Sequence, residues 1–142
     1  MIIMIKVLVL CTGNSCRSIM AEMLINDLGQ GTYKAVSAGS QPAGYVHPKS
    51  IETLERHGIA VTQSSSQSWD AYAGEKFDYI ITVCDEAAKE SCPVFLGEGK
   101  KLHWSTPDPA KVVGTEAQIE DAFDEAFGML HARVTQLVAG TR

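Results

Sequence analysis

From Ile2 to Leu10 the chain is an almost unbroken run of Ile, Val, Leu and Met, interrupted only by Lys6, and it runs straight into Cys11. Apolar side chains at successive positions leave neither face of a strand for water, the pattern of an interior strand in a parallel sheet. Parallel neighbours cannot be joined by tight hairpins, so helical crossovers must follow. Ser18–Leu28 fits the first, with Ile19, Met20, Met23, Leu24 and Leu28 at helical spacing and Gly29 placed to stop it. Tyr33–Ala38, followed by Gly39, reads as the second strand and completes a right-handed βαβ unit.

Further on, Pro48 opens a second helix that turns Ile51 and Leu54 inward and stops at Gly58. The Ser- and Gln-rich Thr62–Trp69 reads as a surface loop. Asp78–Cys84 is a third buried strand and Lys101–Trp104 a weaker fourth. Thr115 with Gln118 forms a capping box, and Ile119, Phe123, Phe127, Leu130, Val134 and Leu137 continue as the inward stripe of a long C-terminal helix. With 142 residues, the chain has room for a single domain, 1–142. The pattern is that of a three-layer α/β domain, whose ligands bind at the carboxyl ends of the strands.

Twelve Lys and Arg against seventeen Asp and Glu leave a net charge of −5, which argues against nucleic acid or an anionic membrane as partner. Any anion must be held locally. Met1–Leu10 is too short to span a bilayer and lacks a signal-peptide cleavage site, so a cytoplasmic location is expected. In that reducing compartment Cys11, Cys16, Cys84 and Cys92 are not a disulfide framework. They are candidates for reactive thiols or metal ligands.

Between the first strand and the first helix lies Cys11-Thr12-Gly13-Asn14-Ser15-Cys16-Arg17-Ser18. A thiol opens this loop and a guanidinium closes it, where a helix N-terminus projects unpaired N–H groups. Thr12 to Ser18 therefore form a socket for a tetrahedral oxyanion. Gly13 permits the backbone angles that turn amides inward, and Arg17 can place two parallel hydrogen bonds on one anion. The same field favours the thiolate of Cys11, the nucleophilic form, and Ser18 can donate to that sulfur. Cys16 reads as a packing residue of the loop rather than a second nucleophile.

Cys11–Ser18 resembles the catalytic loop of the low-molecular-weight protein tyrosine phosphatase superfamily, and more closely its arsenate reductase branch. The resemblance runs from Lys6 to the C-terminal helix. It implies a flavodoxin-like fold with a four-stranded parallel sheet, in agreement with the pattern above. It also implies a general acid in a late Asp-Pro pair, here Asp108-Pro109. Phosphatases follow that pair with aromatic residues; Ala110 follows it here, as in the reductases.

Cys84 and Cys92 separate the two branches further. Phosphate on a thiolate is only hydrolysed, whereas pentavalent arsenic on sulfur accepts two electrons from thiols. Their spacing matches no common zinc pattern. Were the intervening residues helical, the two cysteines would lie about 12 Å apart, whereas a disulfide needs Cα atoms within about 4.4–6.8 Å. Residues 85–91 are thus expected to bend or unwind.

By resemblance, Cys11 attacks arsenate, Asp108 protonates the departing oxygen, Cys84 attacks the Cys11 sulfur and Cys92 resolves the resulting bond. The Cys84–Cys92 disulfide is then reduced by thioredoxin, or by glutaredoxin or a low-molecular-weight thiol in other relatives. That chemistry requires no cofactor. Some relatives add a potassium ion beside the loop. Asn14 and Glu22 match two of its ligands, while Gln67 stands where an acid is expected, with a carbonyl oxygen but no charge. A tyrosine phosphatase and a non-catalytic oxyanion or phosphopeptide binding module are the alternatives. Only the reductase needs Cys11, Cys84 and Cys92 together.

Overall fold

A computed structural model describes residues 4–61, 65–85, 95 and 97–140. Four strands, β1 (Ile5–Cys11), β2 (Tyr33–Gly39), β3 (Tyr79–Thr82) and β4 (Lys100–His103), alternate with helices α1 (Arg17–Leu28), α2 (Pro48–Arg56) and α3 (Glu116–Ala139). Two short 3-10 turns, Trp69–Tyr72 and Pro109–Lys111, lie in the connections. The strands are all parallel, in the order β2-β1-β3-β4. This is the α/β fold that the low-molecular-weight phosphatase resemblance implied.

The apolar run of β1 explains its central place. Val7, Val9 and Cys11 face one layer with Met20, Leu24, Phe127 and Leu130, while Leu8 and Leu10 face the other with Ala38, Phe77 and Ile80. Each fully buried side chain of this size contributes roughly 1.5–3 kcal/mol of hydrophobic stabilisation. On the first face, α1 is wedged between the sheet, α2 and α3. Arg17 through Ile25 are consequently all buried, and the helix has no polar face over its first two turns. Among the described residues, loop aromatics cover the second face, where Trp69 and Tyr72 pack on the cluster of Phe77 and Phe95.

Most element ends follow the local rules. Thr115 and Gln118 form the capping box of α3, and Phe123, Phe127, Leu130 and Val134 are buried along its stripe. Pro48 starts α2, with the Nδ1 of His47 accepting from the Lys49 N–H at 3.1 Å. Gly29 ends α1 through close contact rather than a left-handed turn, because a Cβ there would lie 2.7 Å from the Ile25 carbonyl oxygen and 2.8 Å from Tyr33.

The third strand is shorter than its apolar pattern suggests. Asp78, just before it, still donates its N–H to the Lys6 carbonyl at 2.9 Å and accepts the Lys100 N–H at 3.0 Å, and its carboxylate accepts the Lys6 N–H at 2.8 Å. At the other end, Val83 donates to the Leu10 carbonyl at 3.1 Å while its own carbonyl receives Arg17 at 3.3 Å. The Ser- and Gln-rich loop is not merely superficial: Ser66 and Gln67 are hydrogen-bonded to the loop after β1. No helix among the described residues is long and apolar enough to cross a membrane.

Strand order reverses at β1, which has β2 on one side and β3 on the other. Connections leave in opposite directions at such a point and open a crevice beyond the carboxyl ends. Cys11 is the last residue of β1.

Candidate active site

The loop from Thr12 to Cys16 turns its peptide groups in one sense. The Thr12 carbonyl accepts from the Gln41 N–H at 3.0 Å, that of Gly13 from Ala43 at 2.8 Å and Ser66 Oγ at 3.1 Å, and that of Ser15 from His47 and Ser50 Oγ, both at 3.0 Å. A trans peptide points its N–H away from its carbonyl. With three carbonyls tied outward, the N–H groups of Gly13, Asn14 and Cys16 are directed to the concave side. The Asn14 N–H does meet Cys11 Sγ, at 3.2 Å. Such a nest of amides, at the start of α1, is suited to an anion.

Asn14 is fully buried and adopts a left-handed backbone, φ 49°, which asparagine tolerates better than most residues. Its side-chain amide donates to Ser18 Oγ at 2.8 Å and to Ser37 Oγ at 2.9 Å, and its Oδ1 accepts the Gln67 N–H at 2.9 Å. Cys11 Sγ lies 3.0 Å from Ser18 Oγ. Ser18 already accepts from Asn14, so its own proton is available to the sulfur. Two donors can thus meet this one sulfur and hold it at the mouth of the loop.

Cys16 differs. Burial pushes its thiol up, against the weaker lowering influence of hydrogen bonds with Ser50 and Ser15. It therefore stays protonated at neutral pH, in keeping with a packing role.

Arg17 is 4% exposed, and its Nη1 donates to the carbonyls of Val83 at 3.3 Å and Thr106 at 3.0 Å. Its Nη2 lies 3.5 Å from Asp108 Oδ2. The guanidinium thus ties the start of α1 to the end of β3 and to the loop after β4. Asp108 combines two roles, since its Oδ1 also accepts the Ala110 N–H at 3.0 Å and caps the turn Pro109–Lys111. Cys84 follows Val83 and is fully buried. The structure thus brings Cys11, Arg17, Asp108 and the residue next to Cys84 to one end of the sheet. Cys92 and residues 86–91, where bending is expected, lie outside the described residues.

A family model described as Low molecular weight phosphotyrosine protein phosphatase matches residues 6–141. The chain belongs to this phosphatase family. It is 34% identical over 125 residues to an arsenate reductase of Oceanobacillus iheyensis, an alignment covering 88% of each chain. The crystal structure of arsenate reductase from Archaeoglobus fulgidus superimposes with a TM-score of 0.79 at 30% identity, over 94% of this chain and 99% of that one. A structure described as an arsenate reductase in the phosphate binding state gives 0.78 at 29% identity, over 96% and 98%.

Several residues of this phosphatase-family site escape sequence reading. Ser50, Ser66, Gln41, Ala43 and His47 act on the loop through single hydrogen bonds, mostly backbone, which carry no residue signature. Ser37 had a signal: it is a hydroxyl within the apolar stretch Ala35–Ala38, where it is buried and donates to Glu22 Oε1.

Asn14, Glu22, Ser37 and Gln67 form one connected group, but they are bonded to one another. Asn14 Oδ1 accepts from Gln67, Glu22 Oε1 from Ser37, and the Ser37 carbonyl from Gln67 Nε2 at 3.0 Å. The Gln67 side chain presents an amide N–H rather than an oxygen to this group, so it supplies no cation ligand in this arrangement. Among the described residues, no three His, Cys, Asp or Glu side chains converge as a metal site.

Proposed function

We propose that this chain is an arsenate reductase that passes electrons through Cys11, Cys84 and Cys92. Arsenate enters the nest of Gly13, Asn14 and Cys16 N–H groups, with Arg17 supplying charge and Thr12, Ser15 and Ser18 completing the socket. The Cys11 thiolate attacks arsenic, and Asp108 gives a proton to the oxygen that leaves as water. Cys84 then attacks the Cys11 sulfur. The As–S electron pair stays on arsenic, As(V) becomes As(III), and arsenite departs as a Cys11–Cys84 disulfide forms. Cys92 exchanges into that bond and releases Cys11, leaving Cys84–Cys92 to be reduced by an external dithiol, which we take to be thioredoxin.

One observation carries this reading. Arg17, the cation of the loop, hydrogen-bonds the carbonyl of Val83, the residue that precedes Cys84. A second thiol next in sequence to a residue that Arg17 contacts is superfluous for phosphate hydrolysis and required for reduction. The similarity to arsenate reductases over most of the chain supports the same choice.

The test is arsenate-dependent oxidation of reduced thioredoxin by the wild type and by Cys84→Ser and Cys92→Ser, alongside hydrolysis of an aryl phosphate. Both variants are expected to lose reduction and to keep whatever aryl phosphatase activity the wild type has. Wild-type turnover of arsenate in either variant would overturn the relay. Activity with glutaredoxin but not thioredoxin would change the partner alone.

A further inference from the structure

We infer that Gln67 takes the place of a monovalent cation beside the anion loop and holds Asn14 in position without one. Asn14 has a single geometry in which its amide serves both Ser18 and Ser37 while its Oδ1 faces Gln67. That geometry requires the left-handed backbone at residue 14, so something must hold the loop there. Gln67 does so with its main-chain N–H on Asn14 Oδ1 at 2.9 Å.

The side chain of Gln67 completes the arrangement. Its Nε2 donates to the Ser37 carbonyl at 3.0 Å and lies 2.7 Å from the Tyr72 hydroxyl. A carbonyl only accepts, so the atom facing it must be the amide nitrogen rather than the oxygen. N–H groups therefore occupy the oxygens of Ser37 and Asn14, and the Ser37 hydroxyl turns its proton to Glu22. Tyr72 closes the group from the side of the sheet covered by aromatics. Burial, and secondly the nearby Glu22 charge, push its hydroxyl up, so it remains a neutral group here. A carboxylate side chain at position 67 would keep the main-chain bond to Asn14 but could not donate to the Ser37 carbonyl, and it would add negative charge near Glu22 that a cation would relieve.

The experiment compares thermal unfolding of the full chain in potassium chloride and in tetramethylammonium chloride at equal ionic strength. Alkylation of Cys11 by iodoacetamide, followed by peptide mass spectrometry, is measured in both salts. The wild type is expected to show the same Tm within ~1 °C and the same alkylation rate, whereas a cation at tenfold its Kd would raise Tm by on the order of 4 °C. Gln67→Glu is expected to unfold earlier in tetramethylammonium and to alkylate more slowly, with potassium restoring both. A saturable rise of the wild-type Tm with potassium would overturn the inference. So would a Gln67→Glu protein as stable and as reactive as the wild type in both salts. Neither readout involves arsenate, so failure here is separate from failure of the proposed reaction.

Discussion

Asn14 gives one amide hydrogen to Ser18 Oγ at 2.8 Å, which leaves the Ser18 proton free to donate to Cys11 Sγ at 3.0 Å. Were Ser18 the acceptor from Cys11 as well, its own proton would need another partner inside a fully buried site. Donation to the sulfur satisfies both groups and orients the sulfur within the loop.

Ser18→Ala removes that donor and leaves the Asn14 N–H as the described contact on the sulfur. A hydrogen bond contributes about 0.5–1.5 kcal/mol, so with the sulfur less firmly held, alkylation of Cys11 is expected to slow by up to about tenfold. The rate constant for iodoacetamide labelling, resolved by peptide, checks this. An unchanged rate would mean that the sulfur does not depend on Ser18.

Arg17→Lys keeps the charge and loses the fork. A lysine ammonium cannot reach the carbonyls of Val83 and Thr106 and face Asp108 in the same plane as the guanidinium does. Loss of two charge-assisted hydrogen bonds, about 3 kcal/mol together, corresponds to a fall in kcat/KM on the order of 100-fold. Steady-state arsenate reduction measures it.

Gly39→Ala tests the packing of the loop on β2. A Cβ at position 39 would lie 2.5 Å from the Thr12 carbonyl oxygen and 3.1 Å from both the Cys11 carbonyl oxygen and the Asn14 Cβ. Backbone on that side must move. A destabilisation of about 1–3 kcal/mol is expected in urea unfolding, with a higher KM for arsenate because the displaced residues carry the inward amides.

Cys16→Ala is the contrasting substitution. With its thiol pushed up by burial, Cys16 supplies no nucleophile at neutral pH, and turnover should stay within about twofold of wild type. In the unmodified protein, labelling of Cys16 should become appreciable only at alkaline pH. Loss of activity in a folded Cys16→Ala protein would give this residue a chemical role.

Far from the site, the α2–α3 contact predicts a pH dependence. Burial works against the Asp124 carboxylate, but hydrogen bonds from His57 at 3.0 Å and Arg56 at 2.5 Å outweigh it and hold the group below its ordinary range. A depressed folded value contributes stability above the unfolded value, about 3.9, and loses it as pH falls through the folded one. Asp124 is 39% exposed, so screening limits the effect to roughly 0–1 kcal/mol. Asp124→Asn should therefore lower Tm slightly at pH 7, with the difference from wild type closing as the acid limit is approached.

The fold was legible because its signals are local and repetitive. The continuous apolar run before Cys11, the helical spacing from Ile19 to Leu24 and the Thr115–Gln118 capping box each follow from residues close in sequence, whereas Leu28, expected to point inward, is exposed at the end of α1. The third strand ends earlier than its apolar pattern suggests where a distant partner competes for a backbone group, as when Arg17 takes the Val83 carbonyl. The loop of Ser66 and Gln67 looked superficial for the same reason: polar residues read as solvent-facing unless their buried partners are known.

By itself the sequence determined the chemistry available: a thiol and a guanidinium flanking a glycine-containing turn between a buried strand and a helix, with a second thiol inside that turn and two more elsewhere. Covalent spacing and backbone preference suffice for that, since both act over a few residues. Only the tertiary structure decided which way the peptide groups face, which atom Ser18 donates to, and that an amide rather than a charge stands beside Asn14. Those outcomes depend on hydrogen-bond partners supplied by β2, α2 and the 66–67 segment. Their directions are set by how elements dozens of residues apart come to lie against one loop.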